Sequence, residues 1–405
     1  MSRKDLALRA LEQGDGILRL VPTWVPRSFC RPGRRIKLHP DDYYSLGLER
    51  GGIDERWLAS TTFADNGPGT PSDEGLSYVA VDSEGKERVL LRDVVDELQG
   101  DLIGDALWNK YETWPMFSKF FDNMGPLPHH IHHRPEHAGR VGQEGKPEMY
   151  FFPAQLNNHG GEFPFTFFGL HPEATKDDLR LCLESFAKGD NKILDLSQSY
   201  KLTLDTGWDV PAGVLHAPGS LCTYEPQFAS DVYAMYQSVL YGGQCVPEEL
   251  LWKNMPLEEH GNIDYLIEVL DWELNVDPYF HQHRFMAPKP VQEREEMLAA
   301  GYFEEWICYK CPQAAAKRLT VLPGQTVTIK DSAAYGFILI QGYGTCGLCS
   351  IETPTLIRYG ELTRDEFFVS EGTARAGVLI RNESDTEPLV MLKHFAENTE
   401  LEGVD

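Results

Sequence analysis

The feature that most constrains the fold is a series of short apolar or alternating segments separated by Gly, Pro, Asn and Asp. The series begins near Phe117 and returns after about residue 305, with segments such as EMYFF, FPFTFF, YKLTL, RLTVL, QTVTIK and YGFILIQGYG. Side chains along a strand alternate between two faces, and turn-forming residues end each strand after a few positions. The pattern predicts a protein dominated by antiparallel β-structure of the barrel or sandwich type.

Helical patterns divide these strands and set the predicted domain boundaries. Apolar residues three and four positions apart predict short helices near 4–13 and 91–108, and Thr175 is a suitable N-cap for a helix that stops by Gly189. Residues IDYLIEVLDWEL and VQEREEMLAAG indicate a later helical stretch. We predict an N-terminal segment that packs on the first barrel (1–110), a first barrel (111–245), a helical connector (246–304) and a second barrel without metal ligands (305–405).

The charge of the chain excludes several kinds of partner. Asp and Glu total 62 against 37 Lys and Arg, and the net charge of −25 repels polyanions, so we expect no nucleic acid partner. The sequence has no run of about 18 apolar residues and no signal-peptide pattern in its first twenty, so we expect no membrane association and a cytoplasmic location. The eight cysteines are mostly isolated and are expected to be reduced.

The stretch PHHIHHRPEH contains the residues that indicate a metal site. In an extended strand, His130 and His132 share one face, while the residues between and beside them point to the other. Glu148 begins an apolar strand, and His216 follows the turn VPAGVLHAPG. Three imidazoles and a carboxylate suit one divalent ion, Zn²⁺ first and Fe²⁺, Mn²⁺, Ni²⁺ or Co²⁺ as alternatives. The competing interpretation is a solvated histidine loop plus a turn histidine.

Two cysteine pairs form a rival candidate site. Cys308 and Cys311 have the Cys-x-x-Cys spacing, as do Cys346 and Cys349, and the interval between the pairs is near that of a zinc ribbon. The same thiols would also pack well as small apolar side chains on strands of the second barrel. The sequence alone leaves the role of the four cysteines open.

Four motifs occur in an order that resembles a known family. FSKFFDNMGPLPHHIHH, GKPEMYFF, VPAGVLHAPG and TYEPQFASDVYAMY together resemble the type I mannose-6-phosphate isomerases, and most closely their short bacterial form. Residues 1–60 and much of the connector match this family only loosely. The resemblance implies a bicupin, that is, two β-jelly-roll barrels of the cupin type with helical N-terminal and connecting segments.

The resemblance also implies roles for individual residues. His132, Glu148 and His216 match metal ligands of the family, and His130 occupies the position of a glutamine ligand. Among the remaining motif residues, Lys146 and Glu225 match catalytic or substrate-contacting positions. These six residues are the predicted site.

The chain departs from the family at two of these motifs. His130 changes the ligand set to three histidines and one glutamate, which many cupin oxygenases use, and so reopens the identity of the metal. Ala234 stands where the family has an arginine expected to act on the substrate. Phosphate recognition would then depend on nearby basic residues, which otherwise are ordinary surface charges: Lys119, Arg134 and Arg140.

The predicted function is an isomerase that interconverts an aldose and a ketose through an enediol. Its ligand would be a small sugar or sugar phosphate, and its cofactor would be one divalent metal ion. The prediction is compatible with a homodimer. The alternatives are a non-catalytic sugar-binding bicupin and a cupin dioxygenase that uses a three-His, one-Glu iron site. The sequence indicates neither which sugar is bound nor whether the change at Ala234 abolishes activity.

Overall fold

Strands dominate the architecture. The computed structural model describes residues 2–158, 163–240 and 242–397. Within these ranges the strands form separate sheets of nine, seven, five and four strands, with short helices between them. The predicted β-dominated class is confirmed, and no sheet closes on itself within the described ranges. No helix in the same ranges has the length and apolar character needed to cross a bilayer.

The N-terminal segment alternates helices with short strands. Its first helix begins with a capping box, because the Ser2 hydroxyl accepts a hydrogen bond from the Asp5 amide and the Asp5 carboxylate accepts one from the Ser2 amide. The elements are α1 (Arg3–Gln13), β1 (Ile17–Val21), β2 (Thr23–Arg27), β3 (Gly52–Leu58), β4 (Tyr78–Ala80), β5 (Arg88–Leu90), α2 (Leu91–Leu98), α3 (Gly100–Ile103) and α4 (Asp105–Tyr111).

The first half carries the histidine-rich stretch. The helix predicted from Thr175 is present, and Thr175 and Asp178 cap it reciprocally. The elements are β6 (Met116–Phe121), β7 (His130–Ile131), α5 (Pro135–Ala138), β8 (Glu148–Phe151), β9 (Phe165–Leu170), α6 (Lys176–Glu184), β10 (Ser197–Lys201), β11 (Gly207–Val210), β12 (His216–Ala217), β13 (Thr223–Phe228) and β14 (Ala234–Met235).

A connector of short helices follows and leads into the second half. The connector contains α7 (Ile263–Val269), α8 (Trp272–Asn275), α9 (Phe280–Arg284), β15 (Phe285–Met286), β16 (Lys289–Pro290) and α10 (Arg294–Ala299). The second half contains β17 (Tyr302–Cys308), β18 (Ala315–Val321), β19 (Thr326–Ile329), β20 (Tyr335–Gln341), β21 (Tyr343–Cys346), β22 (Cys349–Glu352), β23 (Glu366–Val369), α11 (Glu371–Ala376), β24 (Val378–Asn382) and β25 (Leu389–Phe395). Residues 398–405 of the predicted second barrel lie outside the described ranges.

Each half is built on two sheets. In the first half, a five-stranded sheet has the order β10-β9-β12-β7-β14, and a seven-stranded sheet has the order β15-β11-β8-β13-β6-β3-β2. In the second half, a nine-stranded sheet has the order β16-β17-β18-β25-β20-β23-β1-β4-β5, and a four-stranded sheet has the order β19-β24-β21-β22. All of these strand pairs are antiparallel, as the turn-rich sequence predicts.

The N-terminal segment joins the sheets of both halves. Two of its strands, β2 and β3, extend the seven-stranded sheet. In contrast, β1 pairs with β23, and β4 and β5 continue that sheet of the second half. Arg56 on β3 also forms a buried ion pair with Asp365, 2.8 Å between Nη1 and Oδ2. The segment therefore links the two halves.

One group of buried charges lies in the second half, and a buried hydrogen bond joins the second half to the first. Lys393 Nζ contacts the carboxylates of Asp331, at 2.7 Å, and of Glu304, and Lys317 Nζ lies 2.8 Å from Asp331. His394, next along β25, is hydrogen-bonded through Nδ1 to the hydroxyl of Tyr224 on β13, at 3.0 Å. The core of the second half thus includes paired charges as well as apolar side chains.

Candidate metal centre

Neighbouring strands bring the histidines together. β7 lies between β12 and β14, and His130 is the register partner of His216 on β12. His132 follows β7 by one residue and, as the alternation predicts, joins His130 on the inner face. One ring nitrogen from each of the three histidines lies within 4.8 Å of the others. Glu148, at the start of β8, approaches them from the facing seven-stranded sheet.

Backbone carbonyls fix the orientation of all three imidazoles. Nδ1 of His130 is 2.8 Å from the carbonyl oxygen of Pro128, Nδ1 of His132 is 2.8 Å from that of Val232, and Nδ1 of His216 is 2.9 Å from that of Val214. A carbonyl oxygen can only accept a hydrogen bond, so each Nδ1 carries the proton. The lone pair of each neutral ring is therefore on Nε2, which is the arrangement found in histidines that bind metals.

Glu148 completes a set of four donors. Its Oε2 lies 2.9 Å from Nε2 of His132, and its Oε1 lies 3.1 Å from Nε2 of His216. Nε2 of His216 is buried and has no hydrogen-bond partner among the described residues. Each carboxylate oxygen of Glu148 thus faces an imidazole nitrogen that carries a lone pair, and such a set of donors is one that a divalent cation satisfies. The residues present therefore fit a metal ion.

Burial and local charge give these donors suitable protonation states. Burial lowers the pKa of His132 to about 3 and that of His130 well below its usual value, so both rings are neutral at neutral pH. Burial alone would raise the pKa of Glu148, but the adjacent His132 and Lys146 hold it well below its usual value. The centre therefore offers neutral imidazoles and an ionised carboxylate.

Lys146 and Glu225, the two predicted catalytic residues, are beside the donors. Lys146 Nζ lies 3.0 Å from Nε2 of His132, 3.2 Å from Oε2 of Glu148 and 3.7 Å from Oε1 of Glu225. Burial and the charge of Glu148 raise the pKa of Glu225 to about 8, although Lys119 and Lys146 oppose this. The structure thus brings together all six residues of the predicted site.

A second layer of charges surrounds the centre. Lys119 Nζ is 3.1 Å from Glu225 and 3.4 Å from Glu55, and Glu55 in turn is 3.1 Å from Arg27. Arg27 also pairs with Asp231 at 3.0 Å. Burial alone would raise the pKa of Glu55, but Arg27 and Lys119 lower it to about 2. Each cation in the pocket is therefore matched by at least one buried carboxylate.

The predicted site did not include four ionisable residues that line this pocket: Arg27, Glu55, Tyr150 and Asp231. Arg27 and Glu55 are on β2 and β3, in the part of the chain that resembles the family only loosely, and Tyr150 donates a hydrogen bond of 2.5 Å to Glu148. The available signal was the occurrence of charged residues within the apolar strands TWVPR and GIDERWL. Ionisable groups in buried strands are rare unless they are paired.

The structure separates the three basic residues considered for phosphate recognition. Lys119 lines the pocket, but Arg134 forms an ion pair with Glu136, and Arg140 contacts the carboxylates of Glu258 and Glu259. Neither arginine is among the residues that line the cavity beside the histidines.

Ala234 lies on the other face of the sheet. Its register partner on β7 is Ile131, and directly opposed residues point to the same face. Ile131 and Ala234 are fully buried in an apolar cluster with Leu215 and Leu266. The neighbours Tyr233 and Met235 line the pocket instead. The position of the family arginine therefore does not face the histidines in this chain.

The four cysteines do not form the rival zinc site. Within the described ranges, the three histidines are the one group of three or more His, Cys, Asp or Glu residues with donor atoms within 4.8 Å of each other. Cys346 and Cys349 are register partners across a hairpin, while Cys308 Sγ contacts the carbonyl oxygen of Tyr150. Burial raises the pKa of Cys311 to about 12, as expected of a packed thiol.

Comparison with solved structures supports the fold. The structure matches a mannose 6-phosphate isomerase from Bacillus subtilis (14% identity, TM-score 0.61, 94% of this chain and 99% of that chain). It also matches a mutant of phosphomannose isomerase from Salmonella typhimurium (12% identity, TM-score 0.60, 94% and 100%) and a mannose 6-phosphate isomerase bound with zinc and yttrium (11% identity, TM-score 0.58, 94% and 100%). No protein-family profile and no curated protein sequence gives a match. The resemblance seen in the four motifs is thus confirmed at the level of the fold.

Proposed function

We propose that this protein is a metal-dependent isomerase that interconverts an aldose and a ketose through an enediol. The proposal includes two cupin-type jelly-roll barrels, one in each half, with the metal held in the first. It is supported by the fold shared with mannose-6-phosphate isomerases and by the convergence of His130, His132, His216 and Glu148. The three hydrogen bonds that direct Nε2 of every histidine inward are the single observation that carries it.

The four donors would hold one divalent cation, and zinc is our first candidate. A bound divalent cation polarises the carbonyl and hydroxyl oxygens of a sugar. This favours removal of the proton on the carbon atom that bears the hydroxyl group. Lys146, with Nζ 3.2 Å from Glu148 and 3.7 Å from Glu225, would donate a hydrogen bond to a sugar oxygen. Glu225 would carry the proton between C1 and C2, since a carboxyl group can both accept and return it.

The charges of the pocket favour an uncharged sugar over a sugar phosphate. Arg27, Lys119 and Lys146 are all buried, and each already contacts a buried carboxylate at 3.0 to 3.2 Å. A phosphate group would have to displace one of these carboxylates, and breaking a buried ion pair is costly. Ala234 offers no replacement charge, since it packs in the apolar cluster. We therefore propose an aldose without phosphate as the substrate.

The test is proton–deuterium exchange at C2 in D₂O, measured by NMR with the zinc-loaded protein on a panel of aldoses and aldose phosphates. We expect exchange with a neutral aldose that is lost in Glu148→Ala together with the metal. Glu144→Gln is the matched control, because Glu144 is an exposed carboxylate four residues earlier. Stoichiometric metal without exchange on any sugar would refute the isomerase proposal.

A cupin dioxygenase is a second candidate, favoured by one observation. His130 makes the donor set three histidines and one glutamate, which is a common set for ferrous iron. Oxygen consumption by the iron-loaded protein with a substrate, in place of C2 exchange, would support this alternative. A protein that binds sugar tightly and shows neither reaction would instead be a non-catalytic binding protein.

A further inference from the structure

A second cavity lies away from the histidines and has a different chemistry. Its volume is about 780 Å³, against about 30 Å³ for the cavity beside the metal centre, and the two have no lining residue in common. One wall comes from residues 34–37, which follow β2, and from the loop after β8, while the other comes from residues 340–343 and 352–356 of the second half. A volume of this size is typical of a small-molecule site.

Lys37 projects from this wall out of an unusual backbone position. Its φ is +68°, in the left-handed region that few residues other than glycine adopt. Ile36 and Leu38 on either side are buried, and the carbonyl oxygen of Lys37 accepts a hydrogen bond of 2.8 Å from the amide of Ile357. The amide of His39 donates to Ile357 in return, at 2.9 Å. The fold therefore holds Lys37 in place at the expense of local backbone strain.

The ammonium group of Lys37 forms no ion pair among the described residues. Neither a hydrogen bond nor an ion pair joins it to any residue in the described ranges, although Lys119 and Lys146 of the metal centre each contact carboxylates. Burial lowers the pKa of Lys37 to about 8, although the charge of Asp365, which already pairs with Arg56, opposes this from a longer distance. A partly buried charge without an ion-pair partner is unfavourable, and strained residues with such charges are concentrated at ligand sites.

The other lining residues give the cavity one basic side and one side with carboxylate and amide groups. Arg34 is exposed beside Lys37, whereas the charge of Arg35 is matched by the carboxylate of Asp122 at 2.6 Å. Glu352 and Glu387, both exposed, line the same cavity, and Gln155, Gln341 and Thr353 supply neutral amide and hydroxyl groups. The basic side suits an anion, and the carboxylate and amide groups suit the hydroxyl groups of the same ligand.

We propose that this cavity binds a small phosphorylated polyol, with its phosphate on Lys37 and Arg34 and its hydroxyl groups toward Gln341, Thr353 and Glu352. Two cations that form no ion pair with a carboxylate among the described residues match the double charge of a phosphate monoester better than the single charge of a carboxylate. The site lies beyond the end of β8 opposite to Glu148, so it is separate from the metal centre and does not depend on the proposed function.

The test is calorimetric titration of the full-length, zinc-loaded protein with glycerol 3-phosphate and with inorganic phosphate. Glycerate and glycerol serve as the carboxylate and neutral comparisons. We expect saturable binding of glycerol 3-phosphate, weaker binding of phosphate, and no binding of glycerol. In Lys37→Met the affinity should fall by about 10- to 100-fold, since one charged hydrogen bond is lost. Lys330→Met, at an exposed lysine, should leave the affinity unchanged.

A second variant keeps the test decisive if Lys37→Met folds poorly. Glycine accepts a φ of +68° without strain, so Lys37→Gly removes the ammonium group while relieving the backbone. We expect Lys37→Gly to be folded and to bind glycerol 3-phosphate as weakly as Lys37→Met. Unchanged affinity in Lys37→Gly, absence of binding to the wild-type protein, or tighter binding of glycerate than of glycerol 3-phosphate would each overturn the proposal.

Discussion

Lys146 would compete with a bound metal ion for Nε2 of His132. Its ammonium group is 3.0 Å from Nε2 of His132, the nitrogen that also approaches Glu148. A metal ion held by His132 and Glu148 would therefore require Lys146 to turn away from both, and the nearest acceptor then left to it would be Glu225, 3.7 Å away. The same movement would bring the ammonium group toward the expected position of a substrate oxygen. The position of Lys146 would therefore depend on whether a metal ion is bound.

Lys146→Met separates metal binding from catalysis. We expect isomerisation to fall by at least about 100-fold, because a positioned hydrogen-bond donor to the sugar oxygen is lost. Zinc should bind as tightly as in the wild type or more tightly, since a positive charge next to two ligands is removed. Steady-state kinetics and competition with a chelating dye measure the two effects, with the exposed Lys201→Met as control. Loss of zinc together with activity would instead assign Lys146 to the structure of the centre.

We expect the buried His394 to make the protein sensitive to acid. Burial lowers the pKa of His394 to about 3, so the folded state keeps it neutral while the unfolded chain binds a proton below pH 6.5. Its contribution to stability is therefore present above pH 6.5 and is lost as the pH falls toward 3. At pH 5 the loss of unfolding free energy is about 2 kcal/mol.

His394→Gln tests this contribution by urea unfolding at pH 7 and pH 5. The variant should lose less stability between the two values than the wild type does. His281→Gln, at an exposed histidine, should retain the full pH dependence. A wild-type slope in His394→Gln would show that other groups account for the acid sensitivity.

Individual residues of the site could be predicted to different extents. The inner positions of His130 and His132 follow from strand alternation, and His216 from its turn, because both rules are local. The pairing of Arg27 with Asp231 joins residues 204 positions apart, and no local pattern indicates it. The direction of Ala234 likewise depends on its register with Ile131, which the tertiary fold decides.

At the scale of elements, the turn before β12 positions the third histidine. Gly213 has a φ of +89°, and its amide donates a hydrogen bond of 2.8 Å to the carbonyl oxygen of His132. A Cβ at this position would come within 3.0 Å of Arg134 and of the backbone nitrogen of Asp271. The turn VPAG is thus hydrogen-bonded to the segment that carries His132 and leads into the strand that carries His216.

Gly213→Ala should weaken the metal centre from outside it. We expect a loss of about 1 to 3 kcal/mol in unfolding free energy from the strained backbone, and a lower zinc occupancy because His216 shifts. Elemental analysis and chemical denaturation measure these effects. Gly372→Ala is the control, because Gly372 lies in α11 with open space around it and should be neutral or slightly stabilising. Equal zinc content in both variants would contradict the positioning role of the turn.

The elements themselves were largely predictable, whereas their assembly was not. The strands and the helix that begins at Thr175 follow from periodicity, capping and turn residues, all of which act over a few positions. The division of the N-terminal segment between two sheets depends on contacts such as Ile17 with Val369. Edge pairing of this kind depends on which sheet has an unpaired edge strand, and the sequence of β1 does not identify that sheet.

At the scale of the whole molecule, the second half contains a buried cluster of paired charges. Lys393 and Lys317 neutralise Asp331 and Glu304 in a buried environment. Lys393→Met would leave Glu304 without its ion-pair partner, and Asp331 would keep only its contact with Lys317. We therefore expect a loss of about 3 to 5 kcal/mol in unfolding free energy. Lys330→Met on the surface should change it by less than about 0.5 kcal/mol. Similar stability of the two variants would show that the cluster is dispensable.

The pairing of β1 with β23 has a consequence for how the chain is made. Ile17 leaves the ribosome about 350 residues before its partner Val369. At roughly 5 to 20 residues per second, this strand waits on the order of half a minute for its neighbour. During that interval an apolar edge is open to other nascent chains. A gene split after the first half would make the exposure permanent, so we expect the separate halves to require co-expression, or a chaperone, to stay out of aggregates.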